Sequence, residues 1–253
     1  MNKFITKSRA WIVALSLLVI WELSCQVFHI PEFILPAPSR IAEVTWQFRN
    51  ELAMHSMQTL MTTIVGFLIA IVIGILLGVA VGSSPAIYDS LYPLLVDFNS
   101  IPKVAVVPLI VIWTGIGTVP AIVTAFVISF FPIVVNVATG LASVEPEMRD
   151  VLRILGATRY EMLRKVSLPR TLPYLFASLK VAITLAFIGS VVSETIASNY
   201  GIGFLMLSAS SRFQVALVFS GVIIIAIMSI AMFALCVKVE NRMVGWAYRS
   251  QPS

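Results

Sequence analysis

Residues 91–113 read LYPLLVDFNSIPKVAVVPLIVIW, and whether this stretch crosses a membrane decides the architecture. It has the length of a bilayer-spanning helix, which takes roughly 20 mostly apolar residues. It also holds Asp97, Asn99 and Lys103, with prolines at 93, 102 and 108. Five other stretches are plainer: 11–30, 60–82, 118–142, 172–195 and 215–237. Charge decides the weak one, because Lys and Arg collect on the cytoplasmic side of spanning segments. If 91–113 spans and the N-terminus is cytoplasmic, the inside receives Lys3, Lys7 and Arg9, then the loop cations Arg149, Arg153, Arg159, Arg164, Lys165 and Arg170, then Lys238, Arg242 and Arg249. The outside receives Arg40, Arg49 and Arg212, while Lys103 and Lys180 lie within spans. Without that span the cation-rich loop would face outward. The expectation is an all-α integral membrane protein with six transmembrane helices and both termini cytoplasmic.

Composition agrees. The 253 residues are 59% hydrophobic and 11% charged, against about 25% charged in soluble domains. Six spans leave no room for an added soluble domain, so residues 1–253 read as one transmembrane domain. The basic start followed by an apolar run imitates a signal peptide, but no A-x-A site follows. We read it as an uncleaved first helix. Cys25 and Cys236 form no CxxC and no Cys/His cluster, so neither a disulfide framework nor a metal site is expected. His29 and His55, placed at or outside the external boundary, give no HExxH and no nucleophile–base pair. No GxxxxGK[ST] loop is present, so nothing here would cradle ATP phosphates. No cofactor and no nucleic-acid partner are expected, and the chain is not expected to be an enzyme.

The second span carries Gly66, Ala70, Gly74, Gly78 and Gly82 at a spacing of four. Small stripes let helix backbones approach where lipid supplies no hydrophobic drive, and we read this one as packing within the subunit rather than a gate. Residues 31–58 read as an external connection with a short amphipathic helix. Glu22 and Lys180 suit structural contacts. Lys103, Asn136 and Glu194 are the candidates for a substrate route, because charges and broken helix bonding inside a membrane need a covered or water-filled setting. Glu194 could equally anchor the loop that follows it.

The loop 143–171 is the longest cytoplasmic segment. Pro146 suits a first helical turn, and Met148, Val151, Leu152 and Leu155 mark one apolar face. Gly156 stands where a glycine stops a helix. Thr158-x-x-Glu161 is a capping-box pattern for a second helix running to Leu168-Pro169. The loop reads as helix, bend, helix; spacing alone leaves a solvated amphipathic loop equally open.

This loop resembles the pattern EAA-x3-G-x9-I-x-LP of permease subunits of binding-protein-dependent ABC importers. Here it reads Asp150-Val151-Leu152, then Gly156, then Val166-Ser167-Leu168-Pro169, with LGAT at 155–158. The EAA triplet itself is replaced, and only Asp150 keeps an acid. LPAPS at 35–39, IPKVAVVPLIVIWTGIG at 101–117 and SETIASNYGIGFLM at 193–206 resemble the nitrate/sulfonate/taurine group, which includes pyrimidine-precursor permeases. The resemblance covers the chain from about residue 20 onward.

It implies the type I ABC importer permease (MetI-like) fold in the inner membrane, moving a small solute. It further implies a homodimer, two cytoplasmic ATP-binding subunits, and an external solute-binding protein that selects the substrate. Within the loop, Asp150, Arg153, Leu155, Gly156, Ala157, Thr158, Arg159, Leu168 and Pro169 would couple to the ATPase. An ion-coupled secondary transporter is the alternative, with Glu22, Asp97 and Glu194 as its available carboxylates.

Overall fold

The structure, a computed structural model, describes residues 3–143 and 146–245, and for residues 3–11, 146, 149, 150 and 159 the backbone alone. The regular structure among the described residues is all helical. In chain order the helices are α1 (Lys3–Val27), α2 (Pro38–Gln47), α3 (Arg49–Gly82), α4 (Pro85–Ser100), α5 (Val107–Thr114) and α6 (Thr118–Ala142). They continue with α7 (Pro146–Ile154), α8 (Arg159–Met162), α9 (Leu168–Ala197), α10 (Ile202–Ser211) and α11 (Val215–Met243).

Helices α3, α6 and α9 form the centre, and the small-residue stripe explains why they can. A methyl group on Gly66 would meet the Ile122 carbonyl and Ala125; on Gly74, Ile133; on Gly78, Val137; on Gly82, Ala138 and Leu141. All six of these neighbours lie on α6, so the stripe packs inside the subunit, as its spacing suggested. The core around it contains Phe67, Ala70, Ile133, Val137, Ile183 and Phe187.

Polar contacts help to tie α11, α2 and α1 to this centre. Lys180 Nζ of α9 donates to both Glu240 oxygens of α11, at 2.8 and 3.0 Å, which gives Lys180 its expected structural role. The Thr45 hydroxyl of α2 bonds Ser220 of α11 at 2.8 Å. Glu22 of α1 accepts the Ser39 N–H at 3.0 Å and its hydroxyl at 2.8 Å, so the LPAPS stretch opens α2 and ties it back to α1.

Three boundaries differ from expectation. Helix α3 begins at Arg49 rather than near residue 60. The added turns are polar but buried: His55, Thr59, Thr62 and Thr63 face protein, which hydropathy cannot register. His55 is therefore buried within the fold.

The segment 91–113 is not one straight helix. Pro102 lacks an N–H and holds Ile101 extended, and a 3₁₀ turn at Lys103–Val106 restarts the chain toward α5. The two arms, Pro85–Ser100 and Lys103–Thr114, meet at 77°. Among the described residues four helices are long and apolar enough to cross a membrane, or five if this bent pair counts as one span. Ile12–Val27 is apolar but shorter.

The second helix of the 143–171 loop does not stop at Leu168-Pro169. Arg159–Met162 passes through a π turn at Leu163–Ser167, where the Leu168 N–H reaches back to the Leu163 carbonyl, and continues into α9. Pro169 frees a carbonyl one turn back, and the widened π turn absorbs that mismatch without ending the helix.

Candidate functional site

The loop centred on Gly156 is built by local hydrogen bonds. The Ala157 N–H reaches the Leu152 carbonyl at 3.0 Å, and the Gly156 N–H reaches the Arg153 carbonyl at 2.9 Å. That pair of bonds is a Schellman stop, and Gly156 takes the left-handed backbone it requires, with φ +82°. One residue on, the capping box closes. The Glu161 N–H donates to the Thr158 hydroxyl oxygen at 3.2 Å, and the Thr158 N–H donates to the Glu161 carboxylate at 3.1 Å. Lys165 adds a contact at 3.2 Å. The Thr158 N–H, then Lys165 and the Thr158 hydroxyl, hold the Glu161 carboxyl down at about 2.

The apolar face expected here is only partly covered. Val151 is 57% exposed, Leu155 76%, and Ile154, which the spacing did not single out, 86%. A methyl group on Gly156 would meet nothing within 4 Å. The bend thus presents bare apolar side chains outward, around a cleft of about 340 Å³ lined by Leu152, Ala157, Met162 and Val166 among others. Arg153 is exposed on the last turn of α7. Leu168 packs against the main core, and Pro169 sits in the first turn of α9. The side chains of Asp150 and Arg159 lie outside the described residues.

A second site surrounds Glu194, 1% exposed near the end of α9. Its Oε2 accepts the Thr59 hydroxyl at 2.8 Å and the Gly203 N–H at 3.1 Å. Its Oε1 faces Thr62 at 3.3 Å, and Thr62 meets Ser190 at 2.5 Å. Thr59 also accepts the Ile202 N–H at 2.8 Å, and His55 Nδ1 accepts the Gly201 N–H at 3.0 Å. The two glycines of NYGIG follow from this crowding: a methyl on Gly201 would overlap the Glu194 carboxyl, and one on Gly203 would meet the Val191 carbonyl. The cluster pins α3, the end of α9 and the start of α10 together. His55, Thr59 and Thr62 were missed in the sequence, although their i, i+4, i+7 spacing continues the line of the glycine stripe.

The other two pathway candidates do not join it. Lys103 sits at the break before α5, donating to the Asn99 carbonyl at 2.7 Å and its Oδ1 at 2.9 Å. Its Nζ lies 5.1 Å from the Phe131 ring centroid. Asn136 donates to the Pro132 carbonyl at 2.8 Å, a bond within its own helix. Among the described residues no hydrogen bond or ion pair links either residue to Glu194.

Residues 70–245 match the family described as the binding-protein-dependent transport system inner membrane component. The chain belongs to this family. The riboflavin transport system permease protein RibX of Chloroflexus aurantiacus is 37% identical over 232 residues, 91% of this chain and 87% of the relative. The formylaminopyrimidine transport permease protein ThiX of Halalkalibacterium halodurans is 32% identical over 233 residues, 92% of this chain and 93% of the relative. Among solved structures, an inward-facing conformation of the MetNI methionine ABC transporter superposes with a TM-score of 0.64 at 19% identity, over 80% of this chain and 98% of that one. The permease therefore has the MetI-like fold expected from the resemblance. It is the membrane-embedded subunit of an ABC importer for small solutes, working with ATP-binding subunits and a solute-binding protein. Family membership sets aside the ion-coupled carrier.

Proposed function

We propose that two copies of this permease form one translocation unit, with two ATP-binding subunits on the cytoplasmic side and the binding protein on the other. In this reading the chain spans six times: α1 and the bent α4–α5 pair each count as a span, and both termini are cytoplasmic. The distribution of Lys and Arg supports that arrangement.

The bend at Gly156 is the coupling contact. What carries this reading is the exposed apolar set Val151, Ile154 and Leu155 on a rigid, fully hydrogen-bonded bend. Bare side chains of this size on a charged loop are what a partner's groove would cover. Glu194 is read as an anchor for α10, since its hydrogen bonds are all directed into the subunit. Lys103 and Asn136 flank the Phe131 region and are kept as candidates for the route.

The cargo is proposed as a nitrate-, sulfonate- or taurine-like solute or a related small organic compound. Relatives named for riboflavin and formylaminopyrimidine favour a nitrogen-heteroaromatic solute within that class. The test is reconstitution of the permease in liposomes with its co-purified ATPase and loaded binding protein. Uptake is expected to require ATP inside and binding protein outside. Uptake driven by a proton or sodium gradient through the permease alone would overturn the reading.

A further inference from the structure

Between α1, α2 and α11 lies a cleft of about 450 Å³, with Leu18, Trp21, Ile41, Ala42, Trp46 and Ile223 among its walls. Nothing in the transport reading uses it, although Arg49 at its edge opens α3, the helix that carries His55 and Thr59 of the Glu194 cluster. Its lining is apolar with three exceptions, one of which, the Thr45 hydroxyl, is already bonded to the Ile41 carbonyl and to Ser220. The Trp21 indole N–H is buried and finds no acceptor among the described residues. Arg49 also lines the cleft; its guanidinium lies 4.8 Å from the Trp46 ring centroid and donates to the Trp46 carbonyl at 3.1 Å.

Arg49 meets no carboxylate among the described residues, whereas nearby Arg40 is held by Glu32 at 3.1 Å and Glu43 at 2.7 Å. An apolar slot and a guanidinium without a carboxylate partner at its mouth together describe a ligand with a hydrocarbon part and a negative charge at one end. In a membrane the molecule with those parts is a phospholipid. Trp and Arg at a helix start also suit the depth of a lipid headgroup, and a guanidinium matches phosphate oxygens in a planar, two-pronged fashion.

We infer that this cleft binds one glycerophospholipid with an anionic headgroup. An acyl chain lies between Leu18, Ile41 and Ile223, and the phosphate meets Arg49. Zwitterionic lipids fit the slot equally well but offer Arg49 no net charge, so the headgroup selects. The lipid would fasten α1 to the body of the subunit, where the protein's own polar ties run through Glu22 and Ser39.

The experiment uses the full chain, purified in its assembled form, stripped of lipid in mild detergent, and titrated with palmitoyl-oleoyl phosphatidylglycerol or phosphatidylcholine. Native mass spectrometry counts the retained lipid. Phosphatidylglycerol is expected to bind about five-fold more tightly, the worth of one basic residue against an anionic headgroup. Arg49→Gln should erase that preference while still binding both lipids. Ala42→Trp, which fills the cleft from an exposed position of α2, should lower retention of both; Ala42→Leu serves the same purpose if the larger variant fails to assemble. The proposal falls if the wild-type protein shows no headgroup preference, if Arg49→Gln keeps it, or if the cleft-filling variants bind lipid normally. It also falls if the second subunit covers the cleft, seen as no retained lipid together with loss of assembly in the Ala42 variants.

Discussion

The α-carbon of Gly201 lies against the carboxyl group of Glu194, so closely that a single methyl group would overlap it. The chain leaving α9 has folded back onto the last turn of that helix, and Gly201 takes φ +105° to do so. Gly201→Ala therefore meets both a steric overlap and a disfavoured backbone, and should lower the amount of folded permease in the membrane several-fold. Glu194→Leu should do the same by stranding buried donors, at about 1–3 kcal/mol for each group left unsatisfied. Glu194→Gln keeps one acceptor oxygen for Thr59 and Gly203 and turns its NH2 toward the Thr62 hydroxyl, which can rotate to accept, so it should retain both abundance and uptake. Normal insertion of Glu194→Gln with abolished uptake would instead put the carboxylate on the substrate route. Quantitative immunoblots beside uptake assays separate these cases.

At the Gly156 bend the penalty is backbone alone, because space is open around it. Gly156→Val should leave the subunit inserted and assembled, yet abolish uptake by distorting the bend or holding the ATPase off. Asn, which tolerates a left-handed backbone better than other side chains, should retain a measurable fraction. ATPase pull-down and ATP hydrolysis, measured per permease, distinguish release from idle turnover. Wild-type uptake by the valine variant would remove the bend from coupling.

Lys180 and Glu240 form an ion pair whose carboxylate is 4% exposed. Removing the cation alone, by Lys180→Met, should destabilise the protein, by less than the ~3–5 kcal/mol of a fully buried pair, because Glu240 loses its Lys180 contact. Lys180→Met combined with Glu240→Gln should recover most of that loss. Thermal unfolding in detergent reads the difference; additive losses in the double variant would show that the two side chains do not depend on each other.

What could be read from the residues was whatever depends on neighbours in sequence. The Schellman stop and the Thr158–Glu161 box are local, so Gly156 and its spacing announced them. The stripe from Gly66 to Gly82 was legible because close helix packing selects small residues at regular spacing. The start of α3 was not, since His55, Thr59 and Thr62 look polar until a partner buries them. For Thr59 and Thr62 that partner is Glu194, 135 positions from Thr59, and for His55 it is the Gly201 N–H; no spacing rule reaches so far. The break at Pro102 was half legible: the prolines were visible, but an angle of 77° depends on how the two arms pack.

Acid provides a separate test of the bend. With Glu161 held at about 2 instead of its ordinary 4.5, its contribution is complete above pH 4.5 and lost as pH falls toward 2. The start of α8 should stay closed at neutral pH and fray only in strong acid. Amide exchange at residues 159–162 should show protection constant from pH 7 to 5. Glu161→Gln should lower it at neutral pH.

From Tyr160 to Ala197 the backbone is a single run of 38 helical residues, about 57 Å at 1.5 Å per residue. One end leaves the bend at Gly156, and the other finishes in the Glu194 cluster. A rod of that kind carries a push along its axis with little loss, and its compliant points are the π turn at Leu163–Ser167 and Pro173. If the bend is the coupling contact, stroke length at the far end would depend on the stiffness of those two points as much as on the grip at Gly156.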